Sequence, residues 1–251
     1  MKKLFFPAIL LTAIMLTGCY ESTQEITLNE DGSGTISNTN DMSALIAVAK
    51  QMGGAEKMAE AGDQKIDSTF SLGKEADSIL GLSNSERELA RKGTANITLN
   101  LKDEKFSTKL NFPFAKPSEI ATLNMLSGKI LASTMKDQMG GMPGGGAGEM
   151  PEPTSLDDYY TVEFSNGELT KKVNKEKYAG AANDKFLEGL KEAATMGLNM
   201  KVNYVINLPR PATKAEGKSV KLSDDKKKVT ISAGIDDFFE DASVLEFKIK
   251  Y

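Results

Sequence analysis

The sequence predicts an α+β fold: an antiparallel sheet built from hairpins, with helices packed on one face and a long Gly/Met/Pro-rich loop. Three observations carry this. Apolar and polar residues alternate with a period of two in many short segments, as expected of strands with one buried face, because successive strand side chains point to opposite sides. Pairs of these segments are joined by short polar turns. Between the hairpins the apolar spacing changes to three and four, the spacing of a helix that buries one stripe.

In chain order, strands are expected at 23–28 and 35–39, either side of Asn29-Glu30-Asp31-Gly32-Ser33-Gly34, where the glycines suit a hairpin turn. Asn40 or Asp41 can cap a helix carrying Met42, Leu45, Ile46, Ala49 and Met52, and a further strand is expected at 65–72. Ser83-x-x-Glu86 and Ser85-x-x-Glu88 both match a capping box, so a short helix should run to Arg91. Ile97, Leu99 and Leu101 alternate with Asn96, Thr98 and Asn100; beyond a charged turn, Phe106, Leu110, Phe112 and Phe114 complete a hairpin. Pro117 suits the first turn of a helix with Ile120, Leu123, Ile130, Leu131 and Met135 along one stripe.

The best-signalled turn is Asn166-Gly167, between Tyr160, Val162 and Phe164 on one side and Leu169 and Val173 on the other. Asn-Gly accepts the positive φ angles of a tight hairpin. A helix is expected over about 176–196, strands at 200–208, 219–222, 228–233 and 244–251, and a short helical segment at 236–242. The last strand places Leu245, Phe247, Ile249 and Tyr251 opposite Glu246, Lys248 and Lys250, which fits a sheet covered on a single side. The glycine-rich stretch at 139–154 is expected to be a flexible loop separating α+β segments 19–138 and 155–251, which share one sheet.

The N-terminal segment reads as an export signal. Lys2 and Lys3 precede an apolar run from Leu4 to Leu16, shorter than the roughly 20 residues a spanning helix needs. Leu16-Thr17-Gly18-Cys19 resembles the lipobox of bacterial lipoproteins. The resemblance implies cleavage after residue 18, diacylglycerol on the Cys19 sulfur, an acylated (often palmitoylated) amino group and a cell-envelope location. Cys19 is the only cysteine, so no intramolecular disulfide competes for it. Two acyl chains or more make such an anchor durable without a transmembrane helix. Tyr20, rather than Asp, follows the cysteine; by the same resemblance this implies the outer membrane, facing the periplasm or the surface, with residues 21–24 as the spacer to the folded domain. The rest resembles uncharacterised bacterial lipoproteins with an Asp-Gly-Ser-Gly hairpin after the cysteine (here Asp31 to Gly34) and a late strand ending in Leu-Pro (here Leu208-Pro209).

Composition narrows the activities. The whole chain carries a net charge of −4, and the part beyond residue 18 is two charges more negative, which argues against a nucleic-acid partner. Lys226-Lys227-Lys228 follows two aspartates and reads as a solvated turn. Histidine is absent, removing the side chain most used for acid/base work near neutral pH and for transition metals.

Residues 29–40 resemble an EF-hand loop with oxygens at positions one, three and five and glycine at six, but Asn40 stands where a bidentate acid is needed, so a turn is the stronger reading. Met135, Met139, Met142 and Met150 are soft donors of the kind that suit Cu(I), without a His or Cys to complete a site. Asp157-Asp158, Asp224-Asp225, Asp236-Asp237 and Glu240-Asp241 read as turn and cap residues, since neighbours on a strand face opposite ways and cannot form a carboxylate pair across a cleft. Neither a catalytic residue, a metal nor a cofactor is expected. The functional expectation is a non-enzymatic module binding an envelope protein or an apolar ligand, with a hydrolase built on Ser, Asp, Glu and Lys as the alternative.

Overall fold

A computed structural model describes residues 19–44, 46, 64–77, 79, 81–139, 154–195 and 199–251. The N-terminal half of the described chain forms β1 (Cys19–Leu28), β2 (Gly34–Asp41), β3 (Lys65–Ser71), α1 (Asn84–Ala90), β4 (Thr94–Asn100), β5 (Lys105–Phe114) and α2 (Ile120–Met139). There follow β6 (Tyr160–Ser165), β7 (Glu168–Val173), α3 (Lys175–Tyr178), α4 (Lys185–Thr195), β8 (Asn199–Asn207), β9 (Lys214–Glu216), β10 (Val220–Leu222), β11 (Lys228–Gly234), α5 (Ile235–Glu240) and β12 (Phe247–Lys250). The α+β class is as expected, with the strands in two sheets. The larger has the order β10-β11-β8-β1-β2-β5-β4-β3, the smaller β6-β7-β12-β9.

The larger sheet is organised by one row of apolar residues running across it. Val229, Ile206, Ile26, Ile36 and Phe112 are in register on five adjacent strands, and all are fully buried. Helix α2 packs across β2 and β5; of the stripe its spacing predicts, Ile120, Leu123 and Ile130 are buried and Leu131 is half-buried, and Leu126, outside that prediction, is buried with them. Only β1 and β8 run parallel; every other pair among the described strands is antiparallel.

Three expectations change. Strand β1 starts at Cys19, not at 23, so residues 21–24 are sheet rather than spacer. A polar pairing holds this extension, Asn203 Nδ2 donating to Glu21 Oε1 at 2.5 Å, and it is repeated further along β1 where Asn207 Nδ2 donates to Glu25 Oε1 at 2.9 Å; apolar alternation reveals neither. The helix expected over 176–196 is broken into α3 and α4, because Asn174 caps the first and Asp184 accepts from the N–H groups of Phe186 and Leu187 to start the second. The strand expected at 244–251 is shortened to β12: Asp241 accepts from the Ser243 N–H and nucleates the 3-10 turn Ala242–Leu245. Strand β9, with three residues, is too short for a periodic signal. Of the helix expected after Asp41, residues 43, 44 and 46 are helical, and Leu45, Ala49 and Met52 lie outside the described residues.

Helix α1 shows local chemistry acting as the sequence implies. The Ser83 hydroxyl accepts from the Glu86 N–H at 3.3 Å while the Glu86 carboxylate accepts from the Ser83 N–H at 2.8 Å, so the box starts at Ser83 and not Ser85. Ser83→Ala is expected to cost about 1 kcal/mol, measured by urea denaturation. Similarly, Gly167 takes a φ of 91° in the Asn166-Gly167 hairpin.

Candidate functional site

Lysine at position 171 breaks an apolar register. On β7 it shares a face with Leu169 and Val173 and pairs with Val162 on β6 and Phe247 on β12, so its side chain is carried inward with theirs. It is 1% exposed. An ammonium so placed needs a counter-charge and acceptors, and the second sheet and two connecting elements supply them.

The counter-charge is Asp157, on the 3-10 helix Leu156–Tyr159 that leads into β6. Asp157 Oδ1 accepts from Lys171 Nζ and, at 2.5 Å, from the Tyr204 hydroxyl, which itself accepts from Lys171 at 2.6 Å. Asp157 Oδ2 accepts from Asn124 Nδ2 of α2 and from Gln24 Nε2 of β1 at 3.4 Å; Gln24 also donates to Asn124 Oδ1 at 2.6 Å. Gln24 and Tyr204 are register partners on β1 and β8. Lys171 also lies 4.4 Å from the centre of the Tyr160 ring, a favourable cation–π contact. One carboxylate thus joins both sheets and α2.

Burial pushes the Lys171 ammonium below the ordinary lysine range, against the opposing attraction of Asp157. Burial alone would raise the Asp157 carboxyl, but the charge and hydrogen bond of Lys171, with the bonds from Tyr204 and Gln24, hold it below the usual carboxylate range. The phenol of Tyr204 is pushed far up, by burial first and then by the neighbouring Asp157 charge. The Lys171 ammonium and the Asp157 carboxylate are in direct contact, and the raised phenol of Tyr204 stays protonated as a donor to the same carboxylate.

This cluster floors a cleft of about 140 Å³. Ile120, Ala121 and Met125 of α2 form one wall, and Tyr160, Val162, Phe164 and Phe247 of the smaller sheet form the other. Phe164 and Phe247 stack with ring centres 6.0 Å apart. Asp158 and Lys177 also line it. Met125 is 47% exposed, one of few large apolar side chains left open to solvent. Chemically, the cleft offers apolar walls and a floor whose polar groups are already paired. No serine lines it, the Asp157 carboxylate is saturated by four donors, and Asp158 accepts from the Ser155 N–H at 3.2 Å.

The other residues singled out from sequence fall elsewhere. Asn29 to Gly34 form the β1–β2 turn: Asp31 Oδ1 accepts from both the N–H and the hydroxyl of Ser33, Asn29 donates to the Ser33 hydroxyl at 3.0 Å, and Gly32 has a φ of 85°. The EF-hand oxygens are spent inside the turn. Asp225, Asp237 and Asp241 cap turns or helix starts as read. Met142 and Met150, with the side chains of Met135 and Met139, lie outside the described residues. Cys19 opens β1, far along that strand from the turn at 29–33. Among the described residues no group of His, Cys, Asp and Glu side chains is placed to hold a metal, and no helix is long and apolar enough to cross a membrane. Asp157 has the sequence context of a turn residue yet is the counter-charge of Lys171, and Lys171, Tyr204, Gln24 and Asn124 are site residues beyond those the sequence points to. Lys171 had a legible signal: a lysine between Leu169 and Val173 on the buried parity of a strand.

No protein-family model matches the chain, and no curated protein matches it. Among solved structures, the folded domain of Mycobacterium tuberculosis LppM, determined by NMR, aligns with 100% of this chain and 95% of its own, at 7% identity and a TM-score of 0.37.

Proposed function

We propose that the chain is a lipid-anchored cell-envelope protein that binds, without chemistry, a small apolar group in the cleft above Lys171 and Asp157. The observation that carries the binding reading is the cleft itself: aromatic and aliphatic walls over a floor with every polar group engaged. Such a site rewards apolar surface over its floor, with Asp158 and Lys177 as the charged groups that also line the cleft. A cavity of about 150 Å³ lined by apolar side chains holds benzene, so the cleft suits a ring or a short stretch of acyl chain. The same pairing weighs against the hydrolase, since a carboxylate with four donors is a poor base and neither serine nor threonine lines the cleft.

The anchor is proposed on the lipobox Leu16 to Cys19, with the outer membrane as the destination. A Cys19→Ser protein is expected to lose fatty-acid labelling and leave the membrane fraction; continued labelling removes the anchor from the proposal. For the cleft, NMR titration with phenol and with octanoate should give saturable shifts at Met125 and Phe164, abolished when Val162→Trp fills the space. Equal shifts across the surface in both proteins would sink the binding reading.

A further inference from the structure

We infer that the β4–β5 turn at 101–104 is a second membrane contact, so that the larger sheet stands with this edge against a phospholipid bilayer. The inference rests on the proposed lipid at Cys19 and goes beyond it by assigning the surface the lipid brings to the membrane.

The argument is one of register. Cys19 is not joined to the domain by a slack linker: it is the first residue of β1 and already pairs with Asn199 of β8. Its backbone is therefore part of the sheet, and a lipid attached at this residue is tethered at this edge. Which other residues share that edge follows from strand pairing. Glu21 faces Asp41 and Asp41 faces Ser107, so moving along to the level of Cys19 reaches Ser43 and Lys105; Lys105 faces Asn100, and Asn100 faces Lys65. The turn at 101–104 projects past this level on the same side. Three strand spacings separate β1 from β4, about 14 Å, so a bilayer reached by the lipid is also within reach of the turn.

The described side chains of this edge mix exposed acids, Glu21 and Asp41 among them, with lysines and apolar groups that gather at the turn and the start of β3. Lys65, Lys102 and Lys105 are exposed, Leu101 is half-buried, and Ile66 is 44% exposed on the edge strand β3. Long lysines lay their methylenes along apolar surface and hold their charge among phosphates. Asp103 and Glu104 share the turn; Asp103 is turned back onto Asn100, which donates to its carboxylate at 2.8 Å. The opposite edge differs in position rather than charge: Lys116 follows the other end of β5, a strand of 10 residues or about 33 Å.

Because Cys19 is the only cysteine and the lipid consumes its thiol, an introduced cysteine is a unique labelling site. Lipidated Lys102→Cys and Lys116→Cys proteins, nitroxide-labelled and reconstituted in vesicles of phosphatidylethanolamine and phosphatidylglycerol, report depth through collisions with oxygen against a water-soluble nickel chelate. The oxygen-to-nickel ratio is expected to be several-fold higher at 102 than at 116. Equal ratios, or a higher one at 116, overturn the inference when mass spectrometry of the N-terminal peptide confirms the lipid. A peptide without lipid instead overturns the anchor, and this inference with it.

Discussion

Asp157→Ala is expected to destabilise the protein by about 3–5 kcal/mol, the range for breaking a buried ion pair from one side. The substitution leaves the Lys171 ammonium, 1% exposed, without its counter-charge, and removes an acceptor from Tyr204, Asn124 and Gln24 at once. The loss comes from stranding the charge, so it should shrink when the charge is also removed. Asp157→Ala with Lys171→Met is expected to recover part of the loss, giving a coupling energy of about 2–3 kcal/mol in a double-mutant cycle by urea denaturation. If the double variant loses the sum of the two single losses, the pair does not act as a unit.

The same pair sets an acid limit. The folded-state Asp157 carboxyl lies below the ordinary range, so the native state binds its proton less readily than the unfolded chain does. Its contribution is complete above the unfolded value of about 3.9 and is lost as pH falls through the folded value. Wild-type stability should therefore decline in that acid window more steeply than that of the double variant.

Phe238→Ala is expected to cost about 3–5 kcal/mol as well, by a different route. Phe238, on the short helix α5, is fully buried, with ring centres of Tyr178, Tyr159 and Tyr160 at 5.4, 5.9 and 6.4 Å. Those tyrosines are held in place by their hydroxyls: Tyr178 donates to the Phe238 carbonyl at 2.9 Å, Tyr159 to Asp184 at 2.7 Å and Tyr160 to the Ala242 carbonyl at 2.6 Å. Tethered neighbours collapse poorly into a void, so the cavity term should be retained nearly whole. Its neighbour Phe239 is only partly buried, and Phe239→Ala should cost less than half as much, a comparison urea denaturation reads directly. Equal losses at the two positions would show that the aromatic cluster yields around the void.

The hairpins, the buried stripe of α2 and the capping box at Ser83 were legible because each depends on residues close together in the chain. A strand's alternation and a helix's spacing record which face meets the core, and Asn166-Gly167 or Ser83-x-x-Glu86 satisfy their own backbone locally. The break between α3 and α4 was harder, because a local cap at Asp184 outweighed a helical periodicity that continues through it.

The cleft needed the tertiary structure. Asp157 lies beside Asp158 in sequence, and both look like turn acids; only one of them meets a lysine 14 residues later, a tyrosine 47 later and a glutamine 133 earlier. The sequence alone settled the α+β class and most of the hairpins. The partners of that lysine, the parallel joining of β1 to β8 and the start of the sheet at Cys19 were decided by packing. Each is a pairing between segments far apart in the chain, whose energy exists only once both are brought to the same place.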